Sequence, residues 1–334
     1  MSNINFFVNL HLHSVNRLDQ SMQPIIDPID RELLIKELTP DRLLRKANKG
    51  DNEVYVVDAF NAPNVMREIG RLREIAFRDA GGGTGKDCDI DEFDTMEKPC
   101  RQLIVWDPQD KEIVGGYRFI LGQDIKLIDN VPNIATSHMF GFSETFINDF
   151  LPNTLELGRS FVSVGYQSTR ANSKAIYVLD NLWDGLGALT VIYPQIKYLF
   201  GKVTMYPSYG TEARDILLGF LHKYFQDPDH LVWPIEELHH NAKSLKIQQL
   251  FNGKDFRQDY KILNQTIRSL GRNIPPLVNA YMSLSPTMKV FGTAINHEFG
   301  NVEETGIFFK ISEIFEEKKR RHILSFVEAE CGIK

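Results

Sequence analysis

Cysteine is scarce in this chain. Cys88, Cys100 and Cys331 are the full complement in 334 residues, an odd number at spacings that fit neither a disulfide framework nor a structural zinc site. Positive charge is not in excess either. The 38 Lys+Arg against 44 Asp+Glu leave a net charge of −6, which argues against a polyanion binder and predicts no nucleic-acid partner. No long uninterrupted hydrophobic run is present: the most apolar stretch, residues 177–201, is broken by Asp180, Asp184, Pro194 and Lys197, so no membrane span is expected. The opening Met1-Ser2-Asn3-Ile4-Asn5 carries no apolar signal segment. Together with the few cysteines this points to a reduced, cytoplasmic setting. Internal repeats and low-complexity segments are missing too.

The remainder is ordinary globular material, 43% hydrophobic and 25% charged, long enough to bury a core without covalent staples. Residues 1–52 read as an arm or helical cap. In it, Asp27-Pro28 and Thr39-Pro40 resemble helix starts, with helices through Leu33-Leu34-Ile35 and Leu43-Leu44. Glu53–Val57 is β-branched and aromatic, a strand. Val65, Ile69, Leu72 and Ala76 recur at helical spacing, predicting a helix from Pro63 to about Ala80 that the glycines 81–85 stop. A hairpin is expected over 102–106 and 113–121, then a strand over 155–163, a polar loop to Ser173 and a long helix to about Leu189. A strand over 198–205 leads into a helix-rich insertion at about 210–270. Pro275-Pro276 opens another helix, followed by strands over 289–295 and 307–311 and a helical tail over 313–330. This order predicts one α/β (α+β) domain over 53–334, with a mixed, mostly antiparallel sheet flanked by helices.

Several motifs carry less than they promise. Gly81-Gly82-Gly83-Thr84-Gly85-Lys86 imitates a phosphate loop, but its spacing is short, Asp87 stands where Ser or Thr belongs, and it follows a helix. Gly185-Leu186-Gly187 sits inside an apolar helix, where close packing explains the glycines. His11-x-His13 and His239-His240 have no carboxylate or cysteine cluster nearby in sequence, so no metal is assigned. Residues 316–321, Glu-Glu-Lys-Lys-Arg-Arg, read as a solvated helix face.

Charged residues on elements that should be buried are more informative. Arg73 lies one turn before Phe77; Asp91-Glu92-Phe93-Asp94 follows; Arg118 and then Glu156-Leu157-Gly158-Arg159-Ser160 lie in strands. Strict alternation sends Glu156 and Arg159 to opposite faces, and a bulge near Gly158 would reunite them. Each pair taken singly is a surface ion pair worth at most about 1 kcal/mol; their joint placement points to a site. These residues resemble the hemolysin-like N-acyltransferases of the GNAT fold, which make ornithine and glycine lipids and are related to the acyl-homoserine-lactone synthases. Leu182-Trp183-Asp184-Gly185-Leu186, Leu199-Phe200-Gly201 and residues 274–281 continue the resemblance, which covers about 53–314.

The resemblance implies transfer of a long, 3-hydroxylated acyl chain to the α-amine of a small amino acid, glycine or ornithine, in aminolipid biosynthesis. It implies no permanently bound cofactor, with acyl-phosphopantetheine as the donor substrate. The glycine-rich phosphate loop of acetyl-CoA-binding relatives is absent from residues 166–173, which favours acyl carrier protein as donor and partner over acyl-CoA. Glu156 is expected as general base, because the ammonium of the acceptor has to lose a proton before attack, with Arg159 and Ser160 beside it. Arg73, Phe77, Asp91, Asp94 and Arg118 are the expected acceptor-binding set, the arginines serving equally well as locks on the carboxylates. Arg170, Ser173 and Lys174, at the start of the long helix, would meet the phosphopantetheine phosphate. Some of Phe140, Phe142, Phe146 and Phe150 would line the acyl cleft. Contact with the inner face of the membrane is a further expectation. A signal synthase acting on S-adenosylmethionine, and a non-enzymatic acyl-carrier- or membrane-binding protein, are the competing readings.

Overall fold

The computed structural model describes residues 22–167 and 175–330. A hairpin of β1 (Leu43–Lys46) and β2 (Glu53–Val57) follows the short helix α1 (Arg31–Glu37), and α2 (Pro63–Ala80) and the single turn α3 (Glu92–Thr95) lead to β3 (Arg101–Asp107) and β4 (Glu112–Leu121). The small strands β5 (Leu127–Ile128), β6 (Val131–Pro132) and β7 (Phe140–Phe142) precede β8 (Thr154–Val162), from which α4 (Ala175–Ile192) crosses to β9 (Tyr198–Met205). After α5 (Thr211–Tyr224) come β10 (Val232–Pro234), α6 (Leu245–Leu250), α7 (Phe256–Ser269) and α8 (Pro276–Met282). The hairpin β11 (Lys289–Asn296) and β12 (Val302–Lys310) and the helices α9 (Glu316–Lys319) and α10 (Ser325–Glu330) close the chain.

Eight strands form one sheet in the order β1-β2-β3-β4-β8-β9-β12-β11. Every neighbouring pair is antiparallel except β8–β9, which the α4 crossover makes parallel. One face is covered by α4, α5 and the helices after it, where Leu182, Leu186, Leu217 and Phe220 join Leu157, Leu199, Val203 and Phe309 of the sheet. The other face is shared. Val65, Ile69 and Phe77 of α2 cover one part, and Phe140, Phe146, Phe200, Phe291 and Phe308 make an aromatic core over the rest. Gly185 lets α4 lie close on β3, since a Cβ there would come within 2.7 Å of Leu103 Cδ1. Among the described residues no helix is long and apolar enough to cross a membrane.

Three local expectations change. The Leu43-Leu44 segment is a strand: after a 3-10 turn at Pro40–Arg42, pairing of Leu43 with Tyr55 and Arg45 with Val54 outweighs the local helix signal. Helix α1 starts at Arg31 on the side chain of Asp30, which accepts from the Glu32 N–H at 2.9 Å, and not at Asp27-Pro28. Strand β12 begins at Val302, five residues before the expected 307, because Glu303 and Glu304 stand in the sheet with partners of their own.

The glycine segment after α2 is an anion cradle, already filled from within. Gly81 ends the helix in the left-handed region at φ 97°, and the loop folds back over Glu74. That carboxylate accepts from Arg78 Nε at 2.7 Å, the Thr84 N–H at 3.0 Å, Thr84 Oγ1 at 2.8 Å and the Gly85 N–H at 2.8 Å.

Candidate active site

Strands β8 and β9 run together only from Thr154–Tyr198 to Leu157–Gly201. Beyond that point β8 continues with β4 and β9 with β12, so the two parallel strands part. Gly201 stands at the fork, where a Cβ would come 2.8 Å from the Leu157 carbonyl oxygen. The gap opens into a cleft of about 430 Å³, a volume suited to one extended ligand.

The cleft is lined from both faces of the sheet, and the two linings differ. On the α4/α5 side Tyr117, Trp183, Leu199, Tyr281, Ile307 and Phe309 make an apolar chamber, with Pro275, Pro276 and Leu277 at its rim. The Tyr117 hydroxyl is buried in it beside the hydroxyls of Ser160 and Tyr281, and burial pushes its pKa up against the hydrogen bonds they offer. On the α2 side the lining is polar: Arg159, Lys202, Thr204, Tyr206 and Glu304, with Phe77 and Phe299 in T-shaped contact at 4.9 Å. Burial and the nearby Glu304 push the Tyr206 hydroxyl up to about 12.

A bulge puts Arg159 into this cleft. Gly116 pairs with Phe161 and Arg118 with Gly158, so Arg159 and Ser160 together oppose Tyr117. The irregular residue is Arg159 itself, one after the expected Gly158, at φ 48°. Its guanidinium lies over the Phe299 ring at 4.5 Å, with Nε 3.1 Å from Asp89 and Nη2 3.5 Å from Asp91.

Behind it stands a buried ion cluster. Arg118 Nη1 contacts the two Asp91 oxygens at 2.6 and 2.7 Å and Asp94 at 3.3 Å. Arg73 Nη1 reaches Asp94 at 3.3 Å, and Gln102 bridges the pair, accepting from Arg73 and donating to Asp94 at 2.9 Å. Asp91 also caps α3, accepting from the Phe93 and Asp94 N–H groups. Burial works against the Arg118 charge, yet Asp94 and Asp91 hold it charged well above the ordinary arginine range. Burial likewise opposes the Asp91 carboxylate, and Arg118 overrides it, drawing its pKa well below the usual value. Asp89 goes the other way: burial raises its pKa despite Arg159, Arg73 and Arg118.

The sequence-marked residues thus divide. Arg73, Asp91, Asp94 and Arg118 meet in the ion cluster, while Phe77, Arg159 and Ser160 line the cleft. Glu156 shares the sheet face of Phe200 but lies outside the cleft lining, buried, accepting from Thr136 Oγ1 at 2.8 Å and paired with none of these arginines. Phe140, Phe142, Phe146 and Phe150 belong to the aromatic core and none of them lines the cleft. Arg170, Ser173 and Lys174, like His11, His13 and Cys331, lie outside the described residues. Sequence reasoning missed Asp89, Tyr117, Lys202 and Glu304. A signal for Lys202 was present in its place in β9, a charged residue alternating with the buried Val203 and Leu199.

An acetyltransferase (GNAT) domain family matches residues 72–176. The chain is 60% identical over 92% of its length, and 92% of the relative's, to a glycine N(alpha)-acyltransferase of Bacteroides thetaiotaomicron. It is 58% identical to a glycine N(alpha)-acyltransferase of Phocaeicola vulgatus, over 92% of this chain and 94% of that one. Among solved structures, a CoA-dependent acyl-homoserine lactone synthase overlaps 84% of the chain and 90% of its own at 10% identity and a TM-score of 0.34, too low to weigh further. The family read from the Glu156–Ser160 string is borne out.

Proposed function

The chain belongs to the family of the glycine N(alpha)-acyltransferases and is an N-acyltransferase, and from that premise we propose that it moves a fatty acyl chain from a phosphopantetheine thioester to the α-amine of glycine. The observation that carries this reading is the fork of β8 and β9, which gives one cleft an apolar lining on one face of the sheet and a polar lining on the other. A fatty chain belongs in the chamber of Trp183, Tyr281 and Phe309, where its burial contributes about 0.8 kcal/mol per methylene. A hydroxyl at the third carbon of the chain would meet the hydroxyls of Tyr117, Ser160 and Tyr281, which lie together in the cleft lining. The thioester lies at the fork, where β8 has left β9 and its backbone N–H groups on that side are open to a developing oxyanion. Glycine enters from the polar side. Arg118, tied to Asp91 and Asp94, acts as the lock that holds the bulge and with it Arg159 and Ser160.

Acyl carrier protein is the donor in this reading, with Arg170 and Lys174 meeting its phosphate, and the reaction runs in the cytoplasm with its lipid product passing to the inner membrane face. Lipids extracted from a bacterial host that expresses the chain should contain N-acylglycines, read by mass spectrometry. With purified protein, palmitoyl-acyl carrier protein should outperform palmitoyl-CoA, and reversing Arg170 and Lys174 to Glu should raise the carrier's KM, most at low salt. N-acylornithine in place of N-acylglycine would refute the acceptor; equal use of both donors would refute the carrier.

A further inference from the structure

Glu304 is the only carboxylate among the described residues that line the cleft. It is 4% exposed, and a carboxylate buried to that degree is normally held by short bonds, about 2.7–2.9 Å to a charged donor. Glu74, fully enclosed, accepts four hydrogen bonds between 2.7 and 3.0 Å, one of them from Arg78. The partners of Glu304 all stand further off: Thr204 Oγ1 at 3.3 Å, Asn296 Nδ2 at 3.4 Å and Lys202 Nζ at 3.9 Å. Lys202 is just as slack, since among the described residues Glu304, at 3.9 Å, is the only carboxylate beside it. An anion and a cation, both nearly sealed from water and both facing the cleft, are therefore held side by side without a close bond between them.

That spacing suits a molecule carrying both charges on adjacent atoms. We propose that Lys202 and Glu304 are the acceptor subsite, Lys202 receiving the carboxylate of the amino acid and Glu304 its ammonium, and that Glu304 is the base that frees the amine; this rests on the reading of the chain as a glycine acyltransferase. Glu304 takes one proton from the ammonium, and the freed nitrogen forms a C–N bond to the thioester carbonyl carbon. The C–S bond breaks, and the second proton lost by the nitrogen ends on the departing sulfur. The groups that face Glu304 are Lys202, Thr204 and Tyr206 from the β9 side and Asn296 from β11. None of them is a second carboxylate that could take over the role.

The test uses the full-length chain, palmitoyl-CoA and palmitoyl-acyl carrier protein as donors, and glycine and glycinamide as acceptors, with product read by mass spectrometry. Glu304→Gln should melt with the wild type and lose about 10²-fold or more in kcat. Its kcat/KM profile should lose the acid limb, leaving only the alkaline rise that the free amine of glycine imposes. Glu304→Asp should restore part of that limb. Lys202→Met should lower the preference for glycine over glycinamide, as a ratio of kcat/KM, by about tenfold. A Glu304→Gln variant with full turnover and an intact acid limb overturns the proposal, as does Glu156→Gln removing that limb in its place or a preference unmoved by Lys202→Met. A wild-type chain that makes no N-acylglycine from either donor fails earlier, at the glycine reading itself.

Discussion

The ion cluster behind β4 and the Lys202–Glu304 pair of the cleft both set cations against carboxylates nearly sealed from water, yet they are finished differently. In the cluster each arginine has a carboxylate oxygen within 3.3 Å, and Gln102 and the α3 cap fill in around them. In the cleft Lys202 and Glu304 stand 3.9 Å apart. Completed pairs hold a backbone in one shape; incomplete ones leave room for a ligand to complete them. In the reading proposed above, the cluster holds the bulge and the slack pair is where chemistry is expected.

That contrast can be broken by substitution. The largest effect should come from Arg118→Ala, which strands Asp91 and Asp94 in the interior; unfolding in urea should show a loss of about 3–5 kcal/mol. Gly201→Ala comes next. Its Cβ would press on the Leu157 carbonyl, a backbone atom with little room to yield, and overpacking of this kind costs about 1–3 kcal/mol. Turnover should fall with it, because the fork would close or shift.

A smaller effect is set by pH. Arg118 draws the Asp91 pKa below its unfolded value, so its contribution to stability is whole above the ordinary carboxyl pKa of about 3.9 and drains as pH falls toward the lowered native value. Urea unfolding measured between neutral and acid pH should show that decline, and Asp91→Asn should flatten it. The smallest effect belongs to the cleft: Glu304→Gln should change stability by less than about 1 kcal/mol, since no close bond is lost. A large loss there would erase the distinction between the two regions.

The scaffold was legible in the sequence because long charged side chains on apolar elements have few structural explanations. Arg73, Arg118 and Arg159 all stood out in that way, and Gly158 marked the bulge to within one residue of Arg159, where it lies. Asp89 escaped because it precedes the α3 cap in a segment that reads as loop, and only the fold shows that Asp89 and Asp91 both face Arg159. Glu304 escaped for a related reason. The polar residues at the start of β12 look like a turn until β9 and β11 are paired on either side of them. Strand β1 was misread because its pairing with β2 lies outside its own sequence. Functional polarity inside a strand thus hides the strand, and long-range partners decide what local propensity leaves open.

A seam that passes through a sheet also governs traffic. The apolar and polar linings of the cleft lie on opposite sides of the fork, so with the fatty chain in one and the amino acid in the other, as proposed, neither reactant would stand in the other's way. Loading would then need no fixed order, and the two would meet as a ternary complex without handing the acyl group to the protein first. Initial rates measured at several concentrations of each reactant should give intersecting lines in double-reciprocal form, where a covalent relay would give parallel ones.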